Sequence, residues 1–84
     1  MDLRRIARDT RAVWGEEQAK RYVGRLRTEI KSLREFPERF PEFDEKPELR
    51  RMNSGKHAVF YQVGTDRVEI IRVLHVASDF ERWV

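Results

Sequence analysis

Eighty-four residues suffice for one small domain and not for two, and hydrophobic and charged side chains at 39% each allow a single core inside a heavily solvated surface. The absence of cysteine rules out a disulfide framework and a thiolate zinc site, and two histidines are too few for a metal cage, so neither metal nor cofactor is expected. The net charge of +3 is laid out unevenly, with +5 over residues 1–34, −4 over residues 35–48 and +2 over residues 49–84, an asymmetry that suits a polyanionic or acidic partner. The opening run MDLRRIARD is charged, and no apolar stretch nears the roughly 20 residues needed to cross a bilayer, so a cytoplasmic chain without a membrane segment is expected.

In chain order, Leu3, Ile6, Ala7, Thr10, Val13 and Trp14 recur at helical spacing and turn Arg4, Arg5, Arg8 and Arg11 outward. Gly15 ends this helix, and Glu16 and Glu17 suit the start of another. Ala19, Tyr22, Val23, Leu26, Ile30 and Leu33 give the second helix its apolar stripe, and Pro37 stops it near Phe36. Residues 1–36 are therefore expected to form a helical hairpin, with Trp14 and Tyr22 in its core. Residues 37–47 form a proline-rich, acidic linker, which Phe36, Phe40 and Phe43 should pin to the domain surface.

From residue 48 the period changes to an alternation of two. Glu48 to Asn53, His57 to Val63 and Arg67 to Val76 read as strands, reversed at Ser54-Gly55-Lys56 and at Gly64-Thr65-Asp66, giving an antiparallel meander over residues 48–76. Residues 77–84 form a short tail. The fold class is thus α+β, a helical hairpin packed on a three-stranded antiparallel sheet. In the last strand Val68, Ile70, Leu74 and Val76 share one parity, while Ile71 and Val73 share the other, so both sheet faces are apolar. The hairpin can cover one face. The other is left to the tail DFERWV with Phe80 and Trp83, to a missing element or to another chain.

The runs WGEEQAKRYVGRLRTEIKSL, PELRRMNSGKHAVFYQV and VEIIRVLH, with Asp79 and Arg82 beyond them, stand in an order and spacing that resembles the ParE branch of the RelE/ParE toxin superfamily over nearly the whole chain. The resemblance implies a toxin of a type II toxin–antitoxin system that poisons DNA gyrase by direct binding and is neutralised by a ParD-like antitoxin. Relatives usually begin with a strand before the first helix, whereas here Met1 falls at the helix start, so an open sheet edge is expected. Where relatives commonly read H-G-R-M-D, this chain has His75-Val76-Ala77-Ser78-Asp79.

RelE-like members cut messenger RNA on the ribosome, which requires groups to exchange protons and cations for the transition state. Arg50, Arg51 and Lys56 offer cations, and His57, Tyr61 and His75 offer proton exchange. The arginines that RelE-like enzymes use fall instead near Ala58 and Asp79. The expected activity is therefore non-catalytic, with the ribosome-dependent nuclease and a degenerate non-toxic member as alternatives. The target-binding surface is assigned to Arg50, Arg51, His57, Arg72, Asp79, Phe80, Arg82 and Trp83, and the antitoxin-binding surface to Ile70, Ile71, Val73 and Leu74. No phosphate loop, zinc helix or nucleophile elbow points to a metabolic enzyme.

Overall fold

The computed structural model describes residues 3–77, which form two helices followed by a four-stranded antiparallel sheet. Helix α1 spans Leu3–Trp14 and α2 spans Glu16–Ser32. Gly15 alone separates them at φ 91°, a conformation that favours glycine. Its amide closes α1 onto Arg11 (3.0 Å), while its carbonyl accepts the first bond of α2 from Ala19 (3.1 Å). Helix α2 stops four residues before Phe36, because the amides of Leu33, Arg34 and Glu35 turn back onto carbonyls only three residues earlier. Gly24 lies exposed inside α2 with open space where a Cβ would stand. Gly24→Ala is expected to stabilise the fold by about 0.5–1 kcal/mol, read as a higher urea midpoint at unchanged slope.

The strands are β1 (Glu42–Phe43), β2 (Lys46–Ser54), β3 (His57–Val63) and β4 (Val68–His75), in spatial order β1-β2-β3-β4. The expected meander is present and gains one strand from the linker. Phe43 pairs with Lys46 across Asp44 and Glu45, and Glu42 pairs with Arg50. Two residues are too few to show a period, and what holds this strand is burial of Phe43 edge-on against Phe60 at 5.0 Å between ring centroids. Strand β4 stands at the opposite edge of the sheet, and among the described residues no strand precedes α1.

Strand β4 carries a bulge that changes which side chains share a face. Tyr61 pairs with Ile70 and Phe60 with Arg72, leaving Ile71 as an extra residue between two partners. Val68, Ile70 and Val73 therefore face the helices, where strict alternation had separated Ile70 from Val73. That face forms the main core, with Leu3, Ile6, Val23 and Leu26 of the helices on Met52, Val59, Tyr61 and Val73. The other face carries Phe43, Leu49, Ala58, Phe60 and Leu74, none more than 7% exposed. The broad open apolar face expected from the alternation is thus not found among the described residues; the tail DFERWV, one of its three expected covers, lies outside them.

Apolar exposure is found elsewhere, at Val13 (74%), Trp14 (61%), Phe36 (62%), Ile71 and Val76. Helical spacing puts Val13 and Trp14 on the buried stripe of α1, yet both are exposed. Leu3 and Ile6 reach the core, but the last turn of α1 comes level with the β2–β3 turn, where Lys56 Nζ stands 5.7 Å from the Trp14 ring centroid. Phe36 does not pin the linker; Phe40 and Phe43 do, packed against the first and second core respectively.

Candidate functional site

One side of α1, the first turns of α2, the β2–β3 turn and the end of β4 line a groove of about 730 Å³. Ile6, Val13, Trp14 and Tyr22 supply apolar wall, Arg5 and Lys56 give it a basic rim opposed by Asp9, and the imidazoles of His57 and His75 also line it. The side chain that holds it together is Tyr22. Its hydroxyl accepts the Lys56 amide (3.0 Å), hydrogen-bonds Nδ1 of His57 and lies 3.4 Å from the Ser54 carbonyl. Helix α2 is thereby fastened to the β2–β3 turn. Gly55 in that turn has φ 57°, and a Cβ there would stand 2.8 Å from the Tyr22 hydroxyl, so both conformation and space require glycine.

His57 is buried and faces His75 across the strand pair, with their ring centroids 5.2 Å apart and edge to face. His75 ends β4, and the next amide, Val76, donates to Lys56 (3.0 Å), closing the sheet end beside the groove. Two imidazoles, a phenol and an ammonium thus line one cleft. The arrangement suits an anionic or hydrogen-bonding group seated beside an apolar anchor.

Other residues singled out in the sequence go to different places. Arg50 donates to the carbonyls of Phe40 (2.7 Å) and Glu38 (3.4 Å), and the Tyr61 hydroxyl donates to that of Pro37 (2.7 Å). Both side chains are spent on holding the linker to the sheet. Burial pushes the Tyr61 phenol above its ordinary pKa of 10.0, against the opposing pull of the Phe40 backbone and the Arg50 charge. Folding therefore favours the protonated phenol: its contribution to stability is whole below pH 10.0 and declines as pH rises through the folded-state value. Phenolate absorbance should accordingly show Tyr61 ionising later than a free tyrosine, and the late step should disappear in Tyr61→Phe.

Arg51 and Arg72 flank Phe60 as its cross-strand neighbours on the sheet face away from the helices. Arg51 donates to Asn53 (2.9 Å) and holds its guanidinium 5.7 Å from the Phe60 ring centroid; Arg72 is exposed. Of the expected target-binding set, the structure thus brings Arg51 and Arg72 together and puts His57 in the groove and Arg50 at the linker. Asp79, Phe80, Arg82 and Trp83 lie outside the described residues. Of the expected antitoxin-binding set, Ile71 is exposed at the bulge and Ile70 is half-buried, while Val73 and Leu74 are each 1% exposed in opposite cores. Spacing alone assigns Trp14 and Tyr22 to packing, whereas both line the groove. The signal that marks them is local: Trp14 directly precedes the Gly15 break, and the groove's other wall includes Gly55, Lys56 and His57.

A helical hairpin on an antiparallel sheet, with an apolar groove opening at its end, defines a small α+β domain built around a cleft. The chain belongs to the family of ParE toxins of parDE type II toxin–antitoxin systems, whose family model matches residues 1–80. A curated relative, Toxin ParE1 of Caulobacter vibrioides (strain ATCC 19089 / CIP 103742 / CB 15), is 48% identical over 63 residues. That match covers 74% of this chain and 65% of the relative, so the chain spans just under two thirds of the relative's length. Among the described residues no helix is long and apolar enough to cross a membrane.

Proposed function

We propose that this chain is a toxin that poisons DNA gyrase by direct binding, performs no reaction of its own, and is silenced by a ParD-like antitoxin seated on its apolar groove. The observation that carries the antitoxin half is the exposure of Val13 and Trp14 on the wall of a basic-rimmed cleft. An acidic segment with one or two apolar anchors fits that surface by both charge and shape. Ile71, exposed at the bulge above Ile70, Val73 and Leu74, offers the antitoxin a second contact along the β4 edge.

Family membership supports the gyrase half. Arg51 and Arg72 beside Phe60, with the tail residues Asp79, Phe80, Arg82 and Trp83, form the proposed target surface; Arg50 and His57 support it from within the fold. A RelE-type nuclease is the weaker reading, because Arg50 and Tyr61 are engaged with linker carbonyls and Ala58, where such an enzyme has an arginine, is fully buried. Expression without antitoxin tests the choice. Growth arrest with a DNA-damage response supports gyrase poisoning, whereas messenger RNA cut at ribosomal A-site codons or undisturbed growth overturns it.

A further inference from the structure

The groove and the Phe60 face leave unused a strongly basic surface, the outer side of the helical hairpin. Arg4, Arg8 and Arg11 follow one another at spacings of four and three along α1, and Lys20, Gly24, Arg27 and Lys31 at four, three and four along α2, so each series forms a stripe. Every one of these residues is exposed. Between the stripes runs a shallow hollow of about 260 Å³, floored by Ala7, Ala19, Val23 and Gly24 and edged by Arg11, Lys20 and Arg27 with Glu16 at one end. The other carboxylates of α2 are turned to neighbouring positions, where Glu17 faces Arg21 at 4.0 Å and Glu29 takes Arg25 at 3.0 Å. The side chains of Arg4, Arg8, Arg11, Lys20, Arg27 and Lys31 make no ion pair or hydrogen bond among the described residues.

We propose that this double stripe binds the phosphate backbone of duplex DNA, without reading its sequence. Lys20 and Lys31 are separated by about 16 Å of helix, over which a B-form duplex presents on the order of nine phosphate charges. Six cations on two adjacent helices match such a charge array, and the small floor residues let a backbone approach the hollow. Duplex is favoured over single strands because single-strand binding relies on aromatic platforms, and the exposed aromatic rings of the described residues, Trp14 and Phe36, stand outside both stripes. The inference concerns a surface distinct from the groove and holds for either target of the toxin.

Fluorescence anisotropy of the purified chain with a labelled duplex of random sequence, titrated between roughly 50 and 200 mM salt, tests it. The expected dissociation constant lies at about 10⁻⁶–10⁻⁴ M, weakening steeply with salt. Combining Arg8→Gln, Arg11→Gln and Arg27→Gln should reduce the slope of log K against log salt by about 2.7, from roughly 0.9 per phosphate contact, with an unchanged circular dichroism spectrum. Arg67→Gln, at the β3–β4 turn, should leave the slope in place. Absence of binding at the lowest salt overturns the proposal. So does a slope indifferent to the triple change, or tighter binding to single-stranded DNA, to RNA or to polyglutamate under the same conditions.

Discussion

Tyr22→Phe is expected to lower the free energy of unfolding by roughly 2–4 kcal/mol, a large share of the stability of so small a domain. The substitution keeps the ring over Gly55 and removes one oxygen, yet that oxygen serves the Lys56 amide and His57 Nδ1 together. The two net hydrogen bonds contribute about 0.5–1 kcal/mol each, and the loss of a partner on a buried polar side chain such as His57 adds about 1–2 kcal/mol more. The effect should appear as a lower urea midpoint with little change in slope, since the same surface is exposed on unfolding. A loss below about 0.5 kcal/mol would mean that water replaces the hydroxyl without penalty and that the α2 to β2–β3 fastening is weak.

Trp14→Ala is expected to divide binding from stability. Its ring is 61% exposed, so truncation should change unfolding by no more than about 0.5 kcal/mol. The same truncation should weaken antitoxin binding by about 30- to 1,000-fold, the usual range for an aromatic anchor that becomes enclosed at an interface, or about 2–4 kcal/mol. Titration calorimetry against the cognate antitoxin reads the loss. Trp14→Phe should recover part of it, because the wall of the groove is restored without the full ring area. Equal affinities for the native chain and Trp14→Ala would remove the groove from the antitoxin interface.

Much of the architecture was legible because local signals agreed with one another. Gly15 between a basic helix and Glu16-Glu17 marked the helical break, and the turn residues around Gly55 and Gly64 bracketed β3 at His57–Val63. The misreadings share a physical cause, which is that periodicity records what a face would bury and not what lies opposite it. Trp14 keeps the spacing of Leu3 and Ile6 but stays 61% exposed, with Lys56 Nζ 5.7 Å from its ring centroid. The bulge at Ile71 shifts Val73 to the helix side and Leu74 to the Phe60 side, a change no alternation pattern contains.

The candidate site was less legible than the fold for a related reason. Tyr22 and His57 are 35 residues apart, and their meeting depends on the angle at which α2 crosses the end of the sheet. Arg50 read as surface because arginine usually is; its guanidinium instead satisfies the carbonyls of Glu38 and Phe40 in a linker rich in proline, which lacks amides of its own to do so. Ile71 is the one member of the expected antitoxin-binding set that the structure exposes strongly, and it owes that exposure to the bulge.

Gyrase poisoning can be read by incubating the purified chain with gyrase, ATP and supercoiled plasmid, then measuring the fraction of DNA held in covalent cleavage complexes. Cleavage complexes should accumulate with increasing chain and fall back when the cognate antitoxin is added, with Trp14→Ala still active but poorly rescued. Plasmid that is supercoiled normally at every concentration, while ribosome-bound messenger RNA is cut by the same preparation, would contradict it.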